Sequence, residues 1–125
     1  MLNSRNKGYR VQRKAVQYAL TYPGVKVLPV YQISRWAQPQ PFDLIVFRPN
    51  CWLIFVEVRA NQWRTGRPST VELTQLPGEG YHKQIWMFPD HAMIPQIREW
   101  NGREWVSQAH PWEAIDEMLE GPPKE

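Results

Sequence analysis

Residues 41–60 read PFDLIVFRPNCWLIFVEVRA, and this segment decides the fold. It contains two apolar runs, 41–47 and 52–59, separated by a four-residue turn. Both runs carry apolar residues on both faces, which is typical of central strands that are covered on each side. Each run also holds one acid, Asp43 in the first and Glu57 in the second. A carboxylate inside a buried strand is unfavourable unless it is paired or binds a metal ion. The segment therefore predicts two central strands that bring two acids into a core.

The strand register decides whether these two acids can act together. Residues directly opposite each other share a face of the sheet, and a slip of one residue separates them. A register that pairs Asp43 with Glu57 leaves a three-residue loop, which the sequence permits. Arg59 shares the face of Glu57, because Val58 between them points away. Mg²⁺ (or Mn²⁺) prefers a few carboxylates plus waters, so Asp43, Glu57 and the Val58 carbonyl are the predicted ligands. The alternative is that Glu57 and Arg59 are strand-end charges paired with each other.

The charge is distributed unevenly along the chain. The net charge of +3 combines +9 in residues 1–67 with −6 in residues 68–125, and Asp43 and Glu57 are the only acids of the first half. A basic half suggests a polyanionic partner, although a solvated basic face would have the same composition. Trp36 and Trp63 stand beside basic residues and could stack on bases. The candidate DNA phosphate contacts are Lys7, Arg10, Arg13, Lys14, Arg35, Arg64 and Arg67.

Bulk composition excludes several classes of protein. The 125 residues suffice for one domain, 1–125, with a core of its own. No apolar run of about 18 residues exists, so no membrane span is predicted, and the polar N-terminus does not read as a secretory signal. One Cys excludes an internal disulfide and a Cys-rich zinc site. A cytoplasmic protein with no organic cofactor is therefore predicted.

Periodicity and turn signals predict the remaining elements. Residues 8–20 show the apolar spacing of an amphipathic helix. Tryptophans 52, 86, 100, 105 and 112 are predicted to be core residues. The other segments are a frayed arm (1–6), a strand (25–33), a loop (34–41), a mobile loop (61–80), a helix or strand (81–88), a hairpin with a two-residue turn (94–106), a helix (111–119) and a tail (121–125). This order predicts an α/β (α+β layered) domain around a mixed central sheet.

Three of these segments together resemble a known nuclease family. Gly8 precedes a basic amphipathic helix, then come Phe42-Asp43-Leu44-Ile45 and Val56-Glu57-Val58-Arg59. This pattern, over residues 7–59, resembles the PD-(D/E)xK nuclease superfamily, in particular archaeal Holliday-junction resolvases and related restriction-endonuclease-like proteins. The resemblance implies a restriction-endonuclease-like mixed sheet flanked by helices. It also implies a magnesium-dependent homodimeric endonuclease that cuts branched DNA in recombination and repair.

The resemblance places the catalytic residues at Gln12, Asp43, Glu57 and Arg59, with three departures from the family pattern. The Pro-Asp of the family is one residue longer here, the helix Glu is Gln12, and the Lys of Glu-x-Lys is Arg59. Arginine keeps its proton and is a poor base, although it can stabilise charge on a phosphate. Either Arg59 substitutes for the Lys, another cation such as Lys83 does so, or the site no longer cleaves. The last possibility predicts a catalytically weakened DNA-binding protein with the same fold. A structural protein in which the acids pair with Arg residues is a third, weaker alternative. His82, beside Lys83, is predicted to be a structural histidine.

Overall fold

The computed structural model describes residues 4–30, 42–49, 53–63, 68–76 and 81–113. The elements are α1 (Ser4–Ala19), β1 (Lys26–Pro29), β2 (Leu44–Phe47), β3 (Leu53–Ala60), α2 (Pro68–Thr74), β4 (Tyr81–Phe88), β5 (Gln96–Trp100) and β6 (Trp105–Gln108). The six strands form one sheet in the order β1-β2-β3-β4-β5-β6. Neighbouring strands are antiparallel except β3 and β4, which are parallel. The prediction of an α+β domain with a mixed central sheet is confirmed.

Helix α1 covers one face of the sheet. Val11, Ala15 and Ala19 recur every four residues and are buried, and they belong to the same core as the β3 residues Ile54 and Val56. Small alanines let the helix backbone approach the strands closely, so the core is dense here. The helix begins at Ser4, earlier than the predicted start at residue 8, and the prediction of a frayed arm is wrong for residues 4–6. Once the apolar stripe has nucleated a helix, each added residue costs little.

Helix α2 was not predicted from the sequence. Residues 61–80 were expected to form a loop, whereas Pro68–Thr74 is helical. Parallel strands need a crossover connection, and α2 lies in the connection between β3 and β4. Proline suits the first turn of a helix. Thr70 and Leu73, three positions apart, are fully buried, and Thr70 contacts Glu57 on the face of β3 opposite to α1. Among residues 70–74, whose burial the structure describes, these two are the buried positions, too few to produce a periodic signal.

The second hairpin confirms one prediction and corrects another. β5 and β6 pair as expected, and Trp100 and Trp105 lie opposite each other with ring centroids 5.4 Å apart. The predicted two-residue turn is wrong, because this register leaves four residues, 101–104, between the strands. The Asn101 side chain explains the wider loop. Its Oδ1 accepts hydrogen bonds from the backbone N–H groups of Arg103 (2.8 Å) and Glu104 (2.9 Å).

Several other predictions can be compared with the described residues. β1 lies within the predicted strand 25–33, and residues 81–88 form a strand rather than a helix. Trp86 and Trp112 are buried as predicted, whereas Trp100 and Trp105 are only half-buried. Trp52, the loop 34–41, the body of the helix 111–119 and the tail lie outside the described residues. Within the described part of the chain, no helix is long and apolar enough to cross a membrane.

Candidate metal centre

The β2–β3 register is regular from Leu44 to Phe47 and changes at Asp43. Leu44 pairs with Val56 and Phe47 with Leu53. The Asp43 N–H donates to the Val56 carbonyl at 2.8 Å, whereas a regular continuation of this register would pair Asp43 with Glu57. Phe42 stacks on Phe55 of β3 with ring centroids 4.6 Å apart, and this contact fixes the start of β2. The strand pairs of β2 and β3 do not include the predicted Asp43–Glu57 pair, and the Asp43 carboxylate contacts Gln12 of α1 whereas Glu57 contacts Thr70 of α2.

The Asp43 carboxylate joins α1 to β3. Its Oδ2 accepts a hydrogen bond from the Val58 N–H at 2.8 Å, and its Oδ1 accepts one from Gln12 Nε2 at 3.1 Å. Burial raises the pKa of Asp43 above its ordinary value. The Val58 hydrogen bond, the Arg59 charge and the Gln12 hydrogen bond oppose this shift, while the Glu57 charge adds to it. Loss of solvation therefore outweighs the three groups that stabilise ionised Asp43.

Glu57 is held by a closed ring of polar contacts, which we call the clasp (Glu57, Arg59 and Thr70). The Glu57 side chain is 3 % exposed. Its Oε1 accepts a hydrogen bond from the Thr70 hydroxyl at 2.8 Å, and its Oε2 is paired with the Arg59 guanidinium. The same guanidinium donates to Thr70 Oγ1 at 2.6 Å and to the Val58 carbonyl at 3.4 Å. The alternative interpretation, in which Glu57 pairs with Arg59, is thus what the geometry shows.

The oxygen atoms around Asp43 partly fit a hard divalent cation. Gln12 Oε1 is buried and has no hydrogen-bond partner among the described residues, although it lies on the side chain that contacts Asp43. An unsatisfied buried acceptor is costly, and a cation would satisfy it. Amide, carboxylate and carbonyl oxygens are ligands that Mg²⁺ accepts. Glu57 fits less well, because both of its oxygens already have partners. Within the described chain, no group of three or more His, Cys, Asp or Glu residues could hold a metal ion.

Lys83 and His82 have structural contacts. Lys83 Nζ donates to the carbonyl oxygens of Thr74 (3.0 Å) and Leu76 (2.9 Å), so it caps the carboxyl end of α2. Burial lowers the pKa of Lys83. His82 Nδ1 lies 2.9 Å from Glu99 Oε2, in a buried network that continues through Gln84. This network agrees with the prediction of a structural histidine. Lys83 is therefore occupied at α2, where it supports the helix that supplies Thr70.

The predicted DNA contacts are only partly described. Arg10 and Arg13 are exposed on α1, and Lys14 Nζ donates to the Ala92 carbonyl at 3.1 Å. The described part of the structure does not include the Lys7 side chain or residues 35, 36, 64 and 67. Trp63 does not present an open ring face on both sides, because the Arg98 guanidinium lies 4.0 Å from its ring centroid. The exposed cations Arg10 and Arg13 therefore lie on the same helix as Gln12.

Two residues with clear roles at these contacts were missed from the sequence. Thr70 was assigned to a loop, and no local pattern connects it with Glu57, thirteen positions earlier. Arg98 lies in a strand of the acidic half, where the net charge gave no indication of a basic site. A Pro-Ser-Thr start before an apolar residue is a weak helix signal that could have located α2. A search of protein-family models and of curated proteins finds no match to this chain.

Proposed function

We propose that this chain is a metal-dependent DNA endonuclease of the Holliday-junction-resolvase type, which hydrolyses phosphodiester bonds in branched DNA. One observation carries the proposal. Gln12 of α1 contacts Asp43 at 3.1 Å, and Asp43 accepts a hydrogen bond at 2.8 Å from the Val58 N–H, next to Glu57. These are positions at which the family resemblance implies site residues, although they are distant in sequence. A mixed sheet with a helix on each face is also compatible with a restriction-endonuclease-like fold.

The residues have distinct tasks in such a site. Asp43, the Gln12 amide oxygen and the Val58 carbonyl would hold Mg²⁺ or Mn²⁺, with Glu57 as a further ligand once it separates from Arg59. Bound metal supplies charge neutralisation at the phosphate and a water of lowered pKa. Arg59 stays protonated, so it stabilises negative charge on the phosphate and does not act as a base. A ligand carboxyl must be ionised, so the raised pKa of Asp43 makes metal binding favour higher pH.

The basic face of α1 supports a nucleic-acid substrate. Arg10 and Arg13 are exposed on the helix whose Gln12 contacts Asp43, and Lys14 is only partly buried. Cations at these positions can contact phosphates and set the position of the duplex relative to the acids. Because resolution of a junction requires two symmetric cuts, a homodimer is part of the proposal. A cytoplasmic location belongs to it as well.

A second candidate function is a catalytically weakened DNA-binding protein. The clasp favours it, because the Arg59 guanidinium occupies the place at Glu57 that a metal ion would otherwise take. In this case the acids stabilise the fold, and the basic helix alone serves binding.

Cleavage of a labelled four-way junction with Mg²⁺ or Mn²⁺ tests the proposal. The endonuclease predicts cutting that disappears in Asp43→Asn and in Glu57→Gln. The matched control Asp90→Asn changes an exposed acid in a turn and should leave cutting unchanged. Salt-sensitive binding without cutting would support the second function instead. Absence of junction binding at low salt would contradict both functions.

A further inference from the structure

A cleft lies between α2 and the β5–β6 hairpin. Its volume is about 460 Å³, within the usual range of small-ligand sites. Val71 and Thr74 of α2 form one side. Trp100, Trp105, Arg98, Arg103 and Glu104 form the other. The cleft contains none of the residues of the candidate metal centre.

The hairpin side of this cleft combines aromatic and cationic groups. Trp100 and Trp105 are half-buried, and their rings are tilted by 55° at a centroid distance of 5.4 Å. Arg98 is held by the Trp63 ring at 4.0 Å, whereas Arg103 is exposed in the hairpin loop. Partly exposed indole rings beside guanidinium groups suit a ligand with a flat ring and a neighbouring negative charge.

The charge of the cleft stands out against its surroundings. Residues 68–125 contain only four Lys or Arg against ten acids. Two of those four cations, Arg98 and Arg103, line this cleft, and Glu104 is its one described acid. The cleft is therefore net positive within a half-chain of net charge −6. Such a local reversal of charge favours an anionic ligand.

We propose that this cleft binds an unpaired nucleobase of a single-stranded nucleic-acid segment. The base stacks on the Trp100–Trp105 pair, and the adjacent phosphates contact Arg98 and Arg103. Every base has an aromatic face, so stacking of this kind is tolerant of sequence. The proposal concerns strand binding and does not depend on whether the acids cut DNA.

The sheet register relates the cleft to the acids. Glu57, Ile85 and Arg98 lie side by side on β3, β4 and β5 and share a face. Two strand spacings, about 10 Å, therefore separate the backbone at Glu57 from that at Arg98. On α2, Thr70 contacts Glu57 while its neighbour Val71 lines the cleft. A single nucleic-acid strand bound in the cleft would therefore run close to the candidate metal centre.

Binding of a labelled eight-nucleotide single strand, followed by fluorescence anisotropy at low salt, tests this inference. A strand of equal length and charge that lacks its bases is the first comparison. We expect the abasic strand to bind about tenfold more weakly or worse, because stacking is lost while the phosphates remain. Equal binding of the two strands would overturn the inference, since it would show phosphate contact alone.

Variants of the protein locate the binding. Arg103→Gln should weaken strand binding severalfold, whereas the matched control Lys26→Gln, an exposed cation on β1, should not. Trp105→Ala should weaken it about tenfold, and Trp105→Tyr, which keeps a ring, should retain most of it. Thermal unfolding of each variant checks that the hairpin is intact. Equal effects of Arg103→Gln and Lys26→Gln would contradict the proposed location.

Two further comparisons separate this inference from its alternatives. An acidic peptide that competes with the oligonucleotide at equal concentration would indicate a protein partner and overturn the inference. Asp43→Asn should still bind the single strand if the cleft acts independently of the acids. A protein that cuts junctions but shows no preference for the strand with bases would refute the cleft and leave the endonuclease proposal in place.

Discussion

Replacement of Arg59 by methionine tests the clasp most directly. The substitution removes the charge that pairs with Glu57 and keeps a long apolar stem in place. The Glu57 and Arg59 side chains are 3 % and 10 % exposed, so the pair is shielded from water. Loss of one partner of a buried ion pair costs about 3–5 kcal/mol. For a chain of this length the melting temperature should fall by about 12–20 °C in the absence of metal.

Divalent metal should reverse part of this loss. Without Arg59, the Glu57 carboxylate becomes available to a cation near Asp43. A ligand that binds only the native state at 100 times its Kd stabilises by about 2.7 kcal/mol. We therefore expect Mn²⁺ to raise the melting temperature of Arg59→Met by more than that of the unchanged protein. Urea or thermal unfolding, with Mn²⁺ and separately with a chelator, measures both quantities.

Two controls make this prediction refutable. Arg48→Met removes a cation that donates to the Pro23 carbonyl at an exposed contact, and it should cost less than about 1 kcal/mol. The double variant Glu57→Gln with Arg59→Met removes both charges and should be more stable than Arg59→Met alone. A loss below about 1 kcal/mol in Arg59→Met would refute the clasp as a stabilising pair. Equal stabilisation of both proteins by Mn²⁺ would refute competition between Arg59 and metal.

Three further predictions concern the neighbouring residues. Thr70→Val removes a buried hydroxyl that contacts Glu57 and Arg59. The free energy of unfolding, measured in urea, should fall by about 1–3 kcal/mol. Thr70→Ser keeps a hydroxyl and should retain most of that free energy. Lys83→Met leaves two carbonyl groups at the end of α2 without their cation. The free energy of unfolding should fall by about 1 kcal/mol, and amide hydrogen exchange should become faster in this helix alone. Unchanged exchange in α2 would argue against the cap. Because the pKa of Asp43 is raised in the folded state, its stabilising effect is complete below the unfolded value of about 4 and is lost as the pH rises through the folded value. The free energy of unfolding of Asp43→Asn should therefore increase relative to the unchanged protein as pH rises from about 3 to 8, and a constant difference would contradict the raised pKa.

The strands that carry the acids could be predicted because local patterns determine them. Continuous apolar runs indicated central strands, and alternation then fixed which residues share a face. The antiparallel pairing of β2 with β3 followed from the short turn between the runs, whereas the contact of Asp43 with the Val56 carbonyl did not. Contact between Gln12 and Asp43 agrees with the placement that the family resemblance implied. Each of these inferences needed only residues close in sequence or a motif of fixed order.

Contacts that depend on tertiary packing were not predictable in the same way. Among residues 70–74 of α2, one Thr and one Leu are buried, and the helix is held by contacts from distant residues, Glu57 of β3 and the Lys83 cap. In the second hairpin the Asn101 side chain accepts hydrogen bonds from the Arg103 and Glu104 N–H groups, in addition to the backbone hydrogen bond from the Asn101 N–H to the Glu104 carbonyl. The Trp63 ring is covered by Arg98, thirty-five residues later in the chain. None of these contacts leaves a periodic trace in the sequence.

The two proposed functions differ in what they require of the Arg59 side chain. Its planar fork contacts Glu57, Thr70 and the Val58 carbonyl together, which the point charge of a lysine would do less well. An endonuclease that uses Glu57 as a ligand needs this fork to release the carboxylate, whereas a DNA-binding protein needs it to stay. A backbone phosphate is an anion that arginine binds in the same two-point manner, so DNA bound at the proposed site would compete with Glu57 for Arg59. Metal affinity that rises when DNA is bound would follow from the first function and not from the second, because only release of Glu57 adds a ligand to Asp43 and Gln12.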